Sequence, residues 1–268
     1  MSHEPNYEVF AIRYATVDRR AKDNFLVWRA EDRPMRLDFY FWAIRSAERC
    51  IVVDTGFSEA SSQKRKRPFL HHPVAALKAL GIDAADVTDV ILTHLHFDHA
   101  GNLDAFPAAT FHLQEAEMAY ATGRHMTQPF FREHYAVEDV EAALRLVYAG
   151  RMRFYDGDAD FAPGISLHRI DGHTIGLQAV RVNTARGRLV IASDAAHYYA
   201  NLDGDNPFPS MVSVAGKIDG YRRMRGLASA PDLVIPSHDP RIADEFPTVP
   251  GLPDIACLHE APRRLTPA

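Results

Sequence analysis

Two cysteines, Cys50 and Cys257, are all that 268 residues contain. Neither belongs to a CxxC pair, and two thiols make no disulfide framework, so a disulfide-stapled secreted scaffold is excluded. Cys50 opens the apolar run Ile51-Val52-Val53 and reads as a small buried hydrophobe. No apolar run approaches membrane-spanning length, and residues 1–6 are polar, without the apolar core of a signal peptide. Positive charge is not in excess either. Thirty Lys and Arg against 35 Asp and Glu leave a net charge of −5, which advertises no general attraction to nucleic acid or anionic membrane. The basic run Lys64-Arg65-Lys66-Arg67 reads as a solvated loop or helix face in preference to a phosphate site. No internal repeat and no low-complexity linker interrupts the chain. The expectation is a reduced, soluble, cytoplasmic protein, with residues 1–268 forming one domain large enough to bury a sizeable core.

Apolar and β-branched runs separated by turn residues predict strands over 7–14, 39–44, 50–53, 90–93, 110–113, 153–155, 165–170, 177–182, 189–192 and 233–235. Helical spacing marks 73–80, 114–121, 137–149 and 213–227. In the helix over 137–149, Val140, Leu144 and Val147 form the apolar stripe. The aromatic-rich segment around Pro129-Phe130-Phe131 reads as irregular, and so does the proline-rich text from Pro240 onward. Strands and helices alternate in two halves, which favours a layered α/β domain with helices outside the sheets.

What the chain has in abundance is one kind of side chain in one place. Thr93-His94-Leu95-His96-Phe97-Asp98-His99-Ala100-Gly101 puts four metal-competent groups within six residues, directly after the predicted strand over 90–93. A strand ending there releases its last side chains into a loop, where they can converge instead of alternating across a sheet. Imidazole and carboxylate are ligands that borderline divalent metals accept. Three further strand ends carry a lone candidate each: Asp171-Gly172-His173-Thr174, Ser193-Asp194-Ala195-Ala196 and Pro236-Ser237-His238-Asp239. Singly, His173 or His238 would be an ordinary loop residue. Together with the cluster they supply the missing members of a two-metal site.

These five segments, Val-Asp54-Thr-Gly, His94-x-His96-x-Asp98-His99, Gly-His173-Thr, Asp194 and His238, resemble the metallo-β-lactamase superfamily in order and spacing. The resemblance implies a four-layer αββα sandwich with the site at one edge, between the two sheets. It implies that His94, His96 and His173 bind one divalent ion, that Asp98, His99 and His238 bind a second, and that Asp194 bridges both. Asp54 would orient the ligands from behind; otherwise it is an Asx-turn residue before Gly56. The all-nitrogen-and-oxygen set suits zinc foremost and is compatible with iron, manganese or cobalt.

Within the superfamily, the stretch from Ile91 to Asn102 most resembles the N-acyl homoserine lactone hydrolases, the quorum-quenching lactonases. The implied partner is a small lactone, opened by a metal-held hydroxide, with Asp98 relaying a proton to the leaving group. A glyoxalase II-like thioesterase and a catalytically silent metal-binding protein remain the alternatives. One departure stands out. Those lactonases resemble one another in a Tyr at the third position after the bridging Asp; here it is His197, followed by Tyr198 and Tyr199. His197 could replace the donor, Tyr198 could swing in, or the chain could act on another substrate; otherwise His197 and the two tyrosines simply begin a partly buried loop. The groups Met126, Phe130, Phe131, Tyr135 and Phe39, Tyr40, Phe41, Trp42 could wall an acyl pocket, or serve core or homodimer packing. His112, His125, His134 and His168 read as structural or exposed.

Overall fold

In the computed structural model, which describes residues 5–263, the first two strands are buried on both faces. On β1 (Glu8–Val17), Phe10, Ile12 and Tyr14 point one way and Val9 and Ala11 the other. On β2 (Leu37–Arg45), Phe39, Phe41 and Ala43 oppose Tyr40, Trp42 and Ile44. Strand side chains alternate across a sheet, so strands apolar on both faces belong to an inner layer.

The large sheet continues through β3 (Cys50–Val53), β4 (Asp89–Ile91), β5 (Thr110–Gln114) and β6 (Met152–Tyr155). A second sheet holds β7 (Ala159–Ala162), β8 (Ile165–Arg169), β9 (Gln178–Thr184), β10 (Gly187–Ser193) and β11 (Val234–Pro236), in the order β11-β10-β9-β8-β7. The chain then returns to the first sheet as β12 (Thr248–Val249) and β13 (Leu252–Cys257), giving β12-β13-β1-β2-β3-β4-β5-β6. Pairing is antiparallel from β12 to β3 and parallel from β3 to β6. Tyr40, Trp42 and Ile44 pack with Leu167, Val180 and Ile191 into the core between the sheets.

The helices are α1 (Glu59–Arg65), α2 (Pro73–Ala79), α3 (Glu115–Ala121), α4 (Pro129–Arg132), α5 (Val137–Tyr148), α6 (Tyr199–Asp203), α7 (Val214–Leu227) and α8 (Arg241–Glu245). Ala76, Leu77, Met118, Ala143 and Leu146 from α2, α3 and α5 cover the outer face of the large sheet. Tyr221 and Met224 of α7 join the core of the other sheet. Ser213 caps α7, its hydroxyl accepting from the Gly216 amide at 3.0 Å. The layering is therefore helix, sheet, sheet, helix, as expected.

Three readings of local text are corrected. The chain after Pro240 is not irregular: it forms α8, β12 and β13, and β13 pairs with β1 through Ile255, Ala256 and Cys257. Pro129-Phe130-Phe131 opens the short helix α4, with the proline in its first turn, where a missing N–H does no harm. On α5 the buried stripe is Asp139, Ala143 and Leu146; Val140 and Val147 pack half-buried against the same core, whereas Leu144 is exposed. Residues 1–4 of the polar N-terminal stretch and Arg264 lie outside the described residues.

Candidate metal centre and substrate cavity

Strand ends from both sheets deliver the site. Asp54 follows β3, residues 93–99 follow β4, Asp194 follows β10 and His238 follows β11; His173 sits in the loop between β8 and β9. Two of these exits turn sharply, with Asp54 at φ 62° and Ser193 at φ 48°. Strain of this kind in non-glycine residues is characteristic of functional loops. Thr93 Oγ1, 2.7 Å from Ser193 Oγ, ties the two exits across the sheets.

Asp54 is not an Asx-turn residue. Its buried carboxylate accepts from the Thr93 amide at 2.7 Å, the Thr93 hydroxyl at 2.8 Å and His99 Nδ1 at 2.7 Å. Two more histidines are held the same way: His173 Nδ1 donates to the Ser210 carbonyl at 2.8 Å and His238 Nδ1 to that of Asp38 at 2.7 Å. Each anchored ring turns Nε2 inward, which sets tautomer and aim together.

The inward atoms converge on Asp194. Its Oδ1 lies 3.2 Å from His99 Nε2 and 3.1 Å from His238 Nε2. Its Oδ2 lies 3.2 Å from His173 Nε2, 3.3 Å from His197 Nε2 and 3.9 Å from His94 Nε2. His96 Nδ1 stands 2.9 Å from His173 Nε2, and Asp98 Oδ2 stands 3.6 Å from His238 Nε2. The donor atoms of His94, His96, His173 and Asp194 lie within 4.8 Å of one another, as do those of Asp98, His99 and His238. The seven ligand candidates are thus brought together as two sets.

The donor atoms fit a cation. His94 Nε2, His99 Nε2 and Asp194 Oδ1 are buried without a hydrogen-bond partner, a costly state for three convergent polar atoms unless an ion completes them. Burial pushes the imidazoles of His94, His96 and His173 below their ordinary pKa, towards the neutral, ligating form. His99 goes the other way. Burial opposes its cation, but the carboxylates of Asp194, Asp98 and Asp54 outweigh that and raise it. Asp194 is held well below the carboxylate range: burial works against it, while His197, His238, His99 and His173 prevail.

Beside this centre lies a cavity of about 420 Å³ whose walls include Asp98, Asp194, His173, His197 and His238. Phe39, Phe97, Phe130, Phe131 and Phe208 supply apolar wall. The His197 ring is part of the wall, stacked on Phe208 with centroids 3.9 Å apart and planes 8° apart. Tyr198 is not among the lining residues. It is fully buried and its hydroxyl donates to the Arg36 carbonyl at 3.1 Å, so the swing of Tyr198 towards substrate is dropped.

The aromatic groups divide in the same manner. Phe130, Phe131 and Phe39 face the cavity, whereas Tyr135 donates to Glu117 at 2.8 Å and Tyr40, Phe41 and Trp42 belong to the cores. His134 joins the cavity wall, its ring 5.4 Å from that of His96. His112 is held by Asp89 and Tyr155, His168 by Asp158 and Ser166, and His125 packs on Tyr120. The basic run is corrected too: Lys64 and Lys66 are exposed, but Arg65 and Arg67 line the cavity.

Sequence reasoning missed two organisers. Glu117, fully buried on α3, accepts from the Leu95 amide at 3.1 Å, the Tyr135 hydroxyl at 2.8 Å and the Thr174 hydroxyl at 2.6 Å. It joins the histidine-cluster loop to the His173 loop. The backbone of Gly176 comes so close that a Cβ there would lie 2.1 Å from the Glu117 amide nitrogen. Lys217, buried on α7, donates to the carbonyls of Asp194 and Ala195. Burial lowers its pKa to about 7. The only available signal was a charged residue on the apolar face of a predicted helix.

A four-layer αββα sandwich whose strand ends assemble seven buried nitrogen and oxygen donors beside a cavity defines a metal-dependent hydrolase. The metallo-beta-lactamase superfamily model matches residues 40–238, and the chain belongs to that family. An N-acyl homoserine lactonase of Bacillus cereus is 27% identical over 194 residues, 67% of this chain and 72% of its own length. The N-acyl homoserine lactonase AttM of Azorhizobium caulinodans is 30% identical over 197 residues, 68% of this chain and 69% of its own. A crystal structure of a quorum-quenching N-acyl homoserine lactone lactonase superposes with a TM-score of 0.74 at 21% identity, over 89% of this chain and 95% of the other.

Proposed function

We propose that this protein is a dinuclear metal hydrolase that opens a lactone ring, an N-acyl homoserine lactone or a related cyclic ester, and so quenches quorum signals. The observation that carries the reading is the Asp194 carboxylate, with one oxygen facing His99 and His238 and the other facing His173, His197 and His94. A carboxylate so placed suits two ions with separate ligand sets: His94, His96 and His173 for one, Asp98, His99 and His238 for the other. When bound, two divalent ions, zinc foremost by ligand chemistry, supply Lewis acidity and a water of lowered pKa. The names of the relatives support a cyclic ester as substrate.

The remaining work falls to side chains. Asp54 holds His99 and Thr93 in register and keeps that ligand's Nε2 aimed inward. Asp98, on the cavity wall, carries the proton from the attacking water to the departing alkoxide. His197 supplies an N–H to the substrate carbonyl oxygen, the place where negative charge grows in the transition state. The reading includes one hydrolase domain and a cytoplasmic setting, in keeping with the free thiols of Cys50 and Cys257.

The test is proton release from metal-loaded protein with acyl homoserine lactones of several chain lengths beside aromatic lactones and thioesters. Chelator-sensitive opening of the lactones is expected. Turnover confined to thioesters would overturn the lactone assignment, and inertness towards every ester with both metals bound would overturn the enzyme reading.

A further inference from the structure

The cavity wall carries three guanidinium groups, Arg19, Arg65 and Arg67. Several arginines elsewhere are matched with carboxylates: Arg13 and Arg36 with Asp38, Arg20 with Asp32, Arg186 with Asp232, Arg223 with Asp158; others, such as Arg151 and Arg188, bond carbonyl or hydroxyl oxygens instead. The three in the cavity form no salt bridge among the described residues. Arg19 donates from Nε to Asn24 Oδ1 at 2.6 Å and from Nη2 to the Asp23 carbonyl at 2.7 Å. Arg65 donates from Nη2 to the Glu133 carbonyl at 2.7 Å and lies over the Phe97 ring at 3.9 Å.

Arg67 makes no side-chain hydrogen bond among the described residues. Its charged neighbours are Arg19, which repels it, and Asp98, a proposed metal ligand. Its backbone is nevertheless fixed, the amide donating to the Ser62 carbonyl at 3.0 Å and the Ser62 hydroxyl to the Arg67 carbonyl at 2.8 Å. Burial lowers the pKa of both Arg65 and Arg67; Arg65 is held by carbonyls and the Phe97 ring, whereas the Arg67 guanidinium is kept half-buried with no side-chain hydrogen bond among the described residues.

Opposing carboxylates are few. Glu133 lies on the same wall and Asp139 acts on Arg65 from α5; Asp98 and Asp194 are committed to the metal sites. With Asp98 and Asp194 neutralised by bound ions, Arg19, Arg65 and Arg67 outnumber Glu133 on the wall and make it positive in a protein whose net charge is −5. A positive, low-dielectric cleft draws anions, and planar guanidinium forks match oxyanions in bidentate geometry. A neutral acyl chain uses none of this.

We propose that the substrate carries an oxyanionic group, a carboxylate or a phosphate, on the arm away from the ring that opens, and that Arg67 and Arg19, backed by Arg65, bind it. The inference rests on the lactonase reading and narrows it to acidic lactones. One face of the active site then handles the ester and the other selects by charge.

A matched pair tests this: N-glutaryl homoserine lactone, with its free carboxylate, against the methyl ester of the same arm, on the metal-loaded enzyme. The acid-to-ester ratio of kcat/KM is expected to be about ten or more in the native protein, the worth of a charge-assisted contact. It should fall towards one in Arg67→Gln, mainly through KM, and recover in part in Arg67→Lys. A ratio near one in the native protein, unchanged by either variant, overturns the acidic arm and leaves the lactonase reading standing. If neither ring opens, the lactonase reading fails, and calorimetric titration of glutarate then decides the cradle. Binding weakened about ten-fold by Arg67→Gln and by Arg19→Gln supports it, and equal binding overturns it.

Discussion

At position 197 the ring nitrogen Nδ1 is buried with no hydrogen-bond partner, while Nε2 reaches to 3.3 Å from Asp194 and the ring face rests on Phe208. Burial pushes this imidazole well below its ordinary pKa, towards the neutral ring, on the cavity wall. His197→Phe preserves the stack and removes the donor. Its kcat should fall about a hundred-fold, the usual effect of losing one preorganised oxyanion donor, with the metal content unchanged. Loss of metal by elemental analysis would instead make His197 a ligand, since its donor atom also lies within 4.8 Å of those of Asp194 and His238. The proposed ligands His94, His96, Asp98 and His99 were legible because their identities and spacing are local, and His173, Asp194 and His238 because their strand-end positions complete the family pattern. The choice between His197 and Tyr198 was not, because neighbouring side chains leave the backbone in different directions and only packing decides which one meets the cavity.

Among the elements, α5 shows where helical periodicity misleads. Of Val140, Leu144 and Val147, the two valines pack half-buried against the core, but the helix turns Asp139, Ala143 and Leu146 fully inward and leaves Leu144 exposed. Asp139 Oδ2 has no hydrogen-bond partner, and burial, helped by the charge of Glu138, raises the pKa of the carboxyl from 3.8 to about 7. The folded chain therefore holds a proton that the unfolded chain releases between about pH 4 and pH 7, and stability declines as pH rises through that window. Asp139→Asn should lessen the decline, to which Asp239, raised to about 6 by burial, also contributes, and stabilise the protein at pH 8 by about 2–4 kcal/mol. Urea unfolding at pH 5 and pH 8 checks this; a native protein equally stable at both would contradict it. The tail misled for another reason. Its prolines suggested irregular chain, but Pro253 lies outside the stretch of β13 that pairs with β1, so it removes no hydrogen bond from that ladder.

For the whole molecule, the proposed metal ligands come from the ends of β4 in one sheet and of β10 and β11 in the other, with His173 between β8 and β9. Ions held there would staple the two sheets together. Because such binding exists only in the folded chain, stripping the metals should lower Tm by about 10 °C, and re-addition should restore it. An unchanged melting curve after proven metal loss would separate the site from the stability of the sandwich. Residue order alone sufficed for the histidine cluster, the strand ends that carry it, the family and a layered α/β domain. All of these are written in neighbouring residues or short periods. Only the tertiary structure decided what faces the cavity: Arg65 and Arg67 from a run that looks like solvated surface, Glu117 and Lys217 beneath the ligand loops, and Tyr198 turned away. Those placements depend on contacts between segments far apart in the chain, which no local pattern encodes.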